Sequence, residues 1–217
     1  MKDHLNGAER PLTDFPRPSV AVDTAVLTVA PGDVLSVLLV RRPAGMRPAW
    51  ALPGTFLHEG ERLADAVRRS LRDKAGVTGL SPQQLVVLDD PHRDARGWVL
   101  SVAHLETSPY ESLAPQLSDG DDVRLAPVDS LPRLAFDHAE VVRRAVDALR
   151  DQYAEHPDPR RLVPEPFSLA QLRRVHEAVA GRELQRDTFR RLMEPQLRPT
   201  GERTAGEVGR PARMFRH

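Results

Sequence analysis

The spacing of apolar residues divides the first part of the chain into strands. Two apolar, β-branched runs at 20–30 and 34–40 are separated by a Pro-Gly-Asp turn, which predicts a β-hairpin. The polar segments at 89–96 and 108–122 are rich in Asp and Pro and predict exposed loops. Shorter apolar runs predict three more strands, at 84–88, 98–105 and 123–127.

Two helices are predicted between and after these strands. Leu63, Val67 and Leu71 recur at four-residue steps, so they share one face of a helix that ends at Gly76. A second helix follows Asp137, which can act as its N-cap. Its apolar face is made of Val142, Ala145, Val146 and Leu149. Strands interleaved with helices predict an α/β sandwich, with helices packed over a mixed sheet.

A Pro-rich polar joint at 156–159 precedes a second, smaller unit. Ser168 can cap a helix that ends at Gly181, and a short turn leads to another helix at 185–194. Helix, turn, helix and a following basic hairpin predict a winged helix-turn-helix. The chain is therefore divided into a flexible arm at 1–18, an α/β domain at 19–155 and a winged helix domain at 156–217. Core positions of the last are Phe189, Leu192 and Met193.

Composition narrows the class of protein. The 217-residue chain has no cysteine, which excludes disulfides and thiolate metal sites. No apolar run reaches the roughly 18 residues of a membrane span, so a soluble cytoplasmic protein is expected. Residues 160–217 hold 13 Arg and no Lys against 7 acidic residues, a net charge of +6, which leaves −6 for residues 1–159. This asymmetry indicates either a polyanion partner or a solvated arginine-rich surface.

The segment 51–77, ALPGTFLHEGERLADAVRRSLRDKAGV, resembles a Nudix box. The family pattern is Gly, five residues, Glu, seven residues, then Arg-Glu-hydrophobic-x-Glu-Glu-x-Gly-hydrophobic. The resemblance implies helix carboxylates that hold Mg²⁺ against a diphosphate. One of the three helix acids remains, and a lysine adds positive charge, so we expect no bound metal, weak or absent hydrolysis and no catalytic residue. The altered box carries Glu61, Arg69, Ser70, Asp73 and Lys74.

Loss of the metal need not remove the pocket. Arginine suits a diphosphate, and tryptophan can stack on a base or shield a ribose. Several such residues lie on loops that border the predicted strands, and we predict them to bind a nucleotide. For each one, the alternative is a surface arginine or a core tryptophan. They are Arg41, Arg42, Trp50, Arg93 and Arg96.

The two halves together resemble the Nudix-related transcriptional regulators of NAD metabolism, the NrtR family. The resemblance rests on WALPG with its altered box, HRDARGWVLSVAHL, LAFDHAEVV, and the segments PFSLAQLRRVHEAV, DTFRRLM and GRPARMF. It implies a Nudix-like α/β/α sandwich and a homodimer on a palindromic operator near genes of NAD synthesis or salvage. It also implies ADP-ribose, or a related NAD-derived nucleotide, as the effector.

Two positions depart from that family pattern in the ligand loops. Thr55 replaces the second glycine of the usual Pro-Gly-Gly turn, which puts a Cβ where we expect a positive φ. Ala95 stands where the family often has a proline.

The winged helix supplies the predicted DNA contacts. The helix at 185–194 would enter the major groove, and the wing would hold phosphate or the minor groove, which makes binding steeply salt-dependent. We expect nucleotide binding to reposition the wings and release DNA, as in a nucleoid-associated repressor. The contacts are Arg186, Thr188, Arg190, Arg191, Arg203, Arg210 and Arg213.

Two rival interpretations stay open. One is an active Nudix pyrophosphatase of the ADP-ribose type with an appended interaction domain. The other is an enzyme-like subunit whose basic tail binds RNA, which is disfavoured because no stacking aromatics lie near its arginines.

Overall fold

Strand β1 (Ser19–Ala30) is the centre of a mixed sheet in the computed structural model, which describes residues 14–117, 120–203 and 212–217. It pairs antiparallel with β2 (Val34–Arg41) and parallel with β6 (Val99–Thr107). Within the described residues the sheet has seven strands, and the predicted hairpin and all three shorter strands are confirmed. The other strands are β3 (Trp50–Ala51), β4 (Gly54–Phe56), β5 (Gln83–Leu88) and β7 (Val123–Pro127).

The two faces of the sheet are covered by two helices. Val22 and Val26 face α1 (Leu63–Ala75), whereas Ala25 and Leu27 face α3 (His138–Tyr153) on the other side. Alternate residues of a strand point to opposite faces, so one apolar strand supplies both cores. The predicted α/β sandwich is thereby confirmed.

The ends of the helices agree only in part with the sequence. Gly76 ends α1 with a φ of 71°, as its position predicts. Asp137 stands at the N-cap of α3 but makes no cap hydrogen bond, because its carboxylate binds Arg93 instead. The prediction of an exposed loop at 108–122 is wrong over its first half. The short helix α2 (Tyr110–Leu113) buries Leu113 completely against the sheet.

The winged helix-turn-helix is confirmed as well. Helix α4 (Leu169–Ala180) begins with a reciprocal capping box between Ser168 and Gln171, and Gly181 ends it with a φ of 68°. Helix α5 (Arg186–Met193) follows a short turn. A small sheet then forms in the order β8 (Phe167–Ser168), β10 (Arg213–Arg216), β9 (Arg198–Arg203).

The core of the winged helix contains Phe189 and Met193 but not Leu192. The side chain of Leu192 is 46% exposed, so its predicted place in the core is wrong. Phe189 and Met193 are four residues apart and share the inner face of α5, whereas Leu192 lies to one side of that face.

A buried polar network joins α3 to α4. Asp158 is fully buried, and its carboxylate accepts hydrogen bonds from the backbone N–H of Leu162 and Val163 at 2.7 and 2.8 Å and from the Tyr153 hydroxyl. Its own N–H donates to Nε2 of His176 on α4. The winged helix is therefore packed against the end of α3 and is not merely tethered to it.

The division at 1–18, 19–155 and 156–217 stays a prediction, and residues 1–13 of the arm lie outside the described residues. In the part of the chain that the structure describes, no helix is long and apolar enough to cross a membrane.

The burial of His176 predicts that the packing of the winged helix against α3 is sensitive to acid. Burial lowers the pKa of His176 to about 4, against the opposing hydrogen bond to the Tyr153 backbone. Below about pH 6.5 the imidazole of His176 binds a proton in the unfolded chain but not in the folded chain. Stability should therefore fall as the pH drops from about 6.5, by about 3 kcal/mol in total near pH 4.

The measurement is the free energy of urea unfolding between about pH 7 and pH 4. The variant His176→Gln should lose less stability over this range than the parent chain, whereas His156→Gln, at an exposed position of the joint, should follow the parent. Parallel curves for all three chains would contradict the assignment.

Candidate functional site

A cleft of about 870 Å³ opens between the sheet, the end of α1 and the start of α3. Its walls come from β1, the β2–β3 loop, β4, the loop at 89–98 and the first residue of α3. The cleft is strongly cationic, because six basic residues line it against three carboxylates. The basic residues are Arg41, Arg42, Arg47, Lys74, Arg93 and Arg96.

The carboxylate of Asp23 on β1 lies at the inner end of this cleft. It is 6% exposed and accepts hydrogen bonds from Ser101 Oγ at 2.5 Å and, over a longer distance, from Arg93 Nη2 at 3.5 Å. His138 Nε2 lies 3.2 Å from its Oδ1. The backbone N–H of Leu52 donates to Nδ1 of the same imidazole at 2.8 Å. Nδ1 is thus an acceptor, so the ring proton is on Nε2 and points at Asp23.

Electrostatics keep Asp23 ionised. Burial raises the pKa of this carboxyl, but the interactions with His138, followed by those with Ser101 and Arg93, lower the pKa further than burial raises it. The result is a pKa below the ordinary aspartate value. Asp23 is therefore a fixed negative charge that is already paired.

Four of the five predicted nucleotide ligands lie on the cleft wall, and Trp50 does not. The Trp50 ring is half-buried between the guanidinium groups of Arg41 and Arg124, which lie 5.1 and 4.0 Å from its centroid. Arg93 is nearly buried and binds both carboxylate oxygens of Asp137, at 2.6 and 2.8 Å. The structure thus brings Arg41, Arg42, Arg93 and Arg96 together, and their role as ligands stays a prediction.

Two exposed phenylalanines at the cleft were missed by the sequence reading. Phe56 and Phe136 are 39% and 42% exposed, and the guanidinium of Arg96 lies 5.5 and 5.6 Å from their ring centroids. Arg42 covers Phe136 as well, at 5.1 Å. An aromatic face beside a guanidinium is a surface on which a planar base can stack. Phe56 ends strand β4 and Phe136 lies in the apolar segment before α3, and neither stands in a sequence pattern that marks it as a site residue.

Two residues of the box, Glu61 and Arg69, hold the loop before α1 in place. Glu61 accepts two hydrogen bonds from Arg69, both at 2.8 Å, and Arg69 also binds Thr55 Oγ1 and the Phe56 carbonyl. These contacts lower the pKa of Glu61 to about 2, with the Arg69 hydrogen bond as the largest cause. Glu61 therefore acts as a loop partner.

The expectation of a positive φ at Thr55 is wrong. Thr55 lies in β4 and pairs with Val22, and its φ is negative. The demanding position is the preceding Gly54, where a Cβ would lie 2.0 Å from Asp23 Oδ1 and 2.9 Å from the Val22 carbonyl oxygen. Only glycine leaves room for the buried carboxylate.

Of the described residues at the positions that the Nudix pattern specifies, Thr55 and Lys74 line the cleft, whereas Glu61, Arg69, Ser70 and Asp73 do not. Ser70 is buried on the core side of α1, and Asp73 pairs with Arg72 at 2.8 Å on the exposed side. Lys74 donates a hydrogen bond to the Gly54 carbonyl inside the cleft. Ala95 lies in the loop at 89–98, and nothing in the structure explains its difference from proline.

The described residues do not suit Mg²⁺, which needs several unpaired oxygen ligands. Each carboxylate on the cleft wall already binds a cationic group: Asp23 binds Arg93, Asp94 binds Arg96, and Asp122 binds Arg41. No group of three His, Asp or Glu side chains that could hold a metal is found among the described residues.

A second cationic surface lies on the winged helix. The outer face of α5 exposes Arg186, Thr188, Arg190 and Arg191, while Arg203 and Arg213 are exposed on the wing strands. Glu194 receives Arg190 at 2.7 Å and Arg213 at 3.1 Å, and so joins helix and wing. Arg210 lies outside the described residues. All seven stay predicted DNA contacts.

Fold and sites together define a Nudix domain joined to a winged helix domain. A model of the NUDIX domain matches residues 18–145, and a model of the NrtR DNA-binding winged helix domain matches residues 159–217. The chain belongs to the NrtR family.

Three known proteins illustrate the similarity. The "ADPR responsive transcriptional repressor NtrR" of Acinetobacter baylyi is 26% identical over 209 residues, which cover 94% of this chain and 84% of that protein. The "ADP-ribose pyrophosphatase" of Methanocaldococcus jannaschii is 31% identical over 129 residues, or 58% of this chain and 72% of that protein.

The third protein is NrtR of Shewanella oneidensis. Its crystal structure with a 27mer DNA is 33% identical, has a TM-score of 0.76 and covers 90% of this chain and 92% of that chain. Its NUDIX domain with ADP ribose is 32% identical, with a TM-score of 0.54 and coverage of 65% and 95%.

Gly54→Ala tests how closely β4 approaches Asp23. The added methyl group would meet both a buried carboxylate and a backbone carbonyl, so we expect a loss of about 3 kcal/mol in the free energy of urea unfolding. Thr55→Ser, the next residue, keeps its hydroxyl and should change stability by less than about 0.5 kcal/mol. Equal stability of Gly54→Ala and the parent chain would refute the close approach.

Proposed function

We propose that the protein is a transcriptional repressor that binds DNA through its winged helix and releases it when ADP-ribose binds in the Nudix-domain cleft. One observation carries this proposal. Helix α3 begins at His138 in the cleft wall and ends at Tyr153, whose ring lies 4.9 Å from that of His176 in the winged helix domain. Its 16 residues form a rod of about 24 Å between the two sites.

The cleft supports a nucleoside diphosphate as the effector. Arginines beside exposed aromatic rings match a diphosphate joined to a base. A repressor described as ADPR responsive and an NrtR domain solved with ADP ribose are among the relatives, which supports ADP-ribose in particular.

The exposed face of α5 supports DNA as the partner. The three arginines on this face are exposed and do not pack in the core, because the buried face of the helix is formed by Phe189 and Met193. The Shewanella relative solved with a 27mer DNA covers both domains of this chain, so the same docking is proposed here. We take the functional unit to be a cytoplasmic homodimer on a palindromic operator near genes of NAD synthesis or salvage.

Regulation requires that ADP-ribose bind the DNA-competent and DNA-incompetent forms with different affinity. Arg93 is the connecting group in this proposal. It lies on the cleft wall and holds Asp137 at the start of α3, so a diphosphate that attracts Arg93 weakens that ion pair. The start of α3 then shifts, and the winged helix packed on its other end moves with it.

Catalysis is not part of the proposed function. The carboxylates in the cleft are paired, Ser70 is buried and Asp73 points away, so activation of water by Mg²⁺ lacks its ligands. The similarity to an ADP-ribose pyrophosphatase favours the rival proposal, an active Nudix pyrophosphatase with an appended interaction domain.

DNA binding is tested by a gel shift on the DNA upstream of the protein's own gene, at low salt. The parent chain should shift this DNA, and ADP-ribose should abolish the shift. Arg186→Ala and Arg191→Ala should each weaken binding about tenfold, as expected for the loss of one base or phosphate contact. Arg143→Ala removes an exposed arginine of α3 that pairs with Glu140 and should bind as the parent does. Failure of the parent chain to shift any DNA would sink the proposal.

Hydrolysis is tested by incubating the protein with ADP-ribose and MgCl₂ and measuring release of AMP. We expect no release above that of a control without protein, because no set of carboxylates holds the metal. Sustained turnover by the parent chain would contradict the proposal of a sensor without catalysis and would support the rival hydrolase.

A further inference from the structure

Lys74 occupies the position at which the Nudix box has its last carboxylate. It lies in the final turn of α1. Among the described box residues Glu61, Arg69, Ser70, Asp73 and Lys74, it is the one that lines the cleft. Its ammonium donates a hydrogen bond to the carbonyl of Gly54. That bond fixes the charge beside the strand that also carries Thr55.

The ammonium lies in the field of a carboxylate that it does not contact directly. Partial desolvation lowers the pKa of Lys74, while the charge of Asp23 opposes that shift. Asp23 is meanwhile satisfied by its hydrogen bonds with Ser101 and His138. Lys74 is therefore not needed to neutralise Asp23.

Three of the other five cations of the cleft are paired with carboxylates, whereas Arg42 and Arg47 form no salt bridge within the described residues. Arg93 is held by Asp137, Arg96 by Asp94 and Arg41 by Asp122. Lys74 gives one of its three donors to a neutral carbonyl, and no carboxylate within the described residues forms a salt bridge with it. A compact charge with two remaining donors suits the oxygens of a diphosphate.

We propose that Lys74 binds the diphosphate of the effector in place of the divalent cation, so that effector binding needs no metal. The proposal rests on the proposed function for its ligand, ADP-ribose. It explains why α1 keeps the frame of a metal-binding helix although its ligands do not suit Mg²⁺. The positive charge is retained, but it is supplied by a side chain.

The test is calorimetric titration of the full chain with ADP-ribose, once in excess EDTA and once in MgCl₂. The parent chain should give the same Kd in both buffers. Lys74→Ala should raise the Kd about 10- to 100-fold in both, the effect of one charge-assisted hydrogen bond. If Lys74→Ala fails to fold, Lys74→Met takes its place. It keeps the length of the side chain without the charge and should show the same rise in Kd.

Arg68→Ala is the matched control. Arg68 is an exposed cation of the same helix that pairs with Asp65 and does not line the cleft, so its loss should leave the Kd unchanged. A parent chain that binds only with Mg²⁺, or lysine variants that bind like the parent, would overturn the role of Lys74. A parent chain that fails to bind ADP-ribose in either buffer would instead overturn the proposed function, and the role of Lys74 with it.

Discussion

The buried carboxylate of Asp23 constrains every element around the cleft. An ionised carboxylate out of water costs several kcal/mol unless its oxygens are satisfied. Its partners come from three places in the chain: Ser101 on β6, Arg93 on the loop that precedes β6, and His138 on α3. Gly54 must also lack a side chain for β4 to pass it. The cleft therefore keeps its shape because moving any one of these partners leaves the buried charge with fewer hydrogen bonds.

The position of α1 is fixed by contacts that involve no metal. The Glu61–Arg69 pair orders the loop before α1 and needs no metal to do so. The apolar face of α1 packs on the sheet whatever its polar face carries. Lys74 lies on the cleft side of α1, so the residue at this position can change the charge of the cleft without disturbing the packing of the helix. Scaffold and chemistry occupy different faces of one element.

Much of the fold could be predicted from the sequence, because local patterns determine it. Apolar, β-branched runs located the strands. Gly76 and Gly181 marked helix ends through a left-handed backbone conformation, and Ser168 marked a helix start through its capping side chain. The exposed position of Leu192 was not predictable in the same way. It depends on which side of α5 meets the rest of the winged helix, and apolarity alone does not say so.

The centre of the site was the least predictable part. Asp23 interrupts an apolar run and looks like a solvent-facing position until β6 and α3 are placed beside it. Trp50 drew attention as the aromatic residue near the box, but pairing of β3 with β2 turns it between Arg41 and Arg124. The aromatic faces on the cleft belong to Phe56 and Phe136 instead. Such assignments depend on tertiary register, which separates residues that are close in sequence.

The two ends of α3 give the proposed signal its physical route. At one end Arg93 and His138 tie the helix to the cleft, and at the other Tyr153 and Asp158 tie it to the winged helix. Arg150 adds a hydrogen bond to the Val179 carbonyl at the end of α4. Because both ends are held by buried polar contacts, the helix cannot absorb a displacement by fraying. In the proposed mechanism, a change of partner at Arg93 is therefore accommodated where α3 meets α4, next to the helix that carries the predicted DNA contacts.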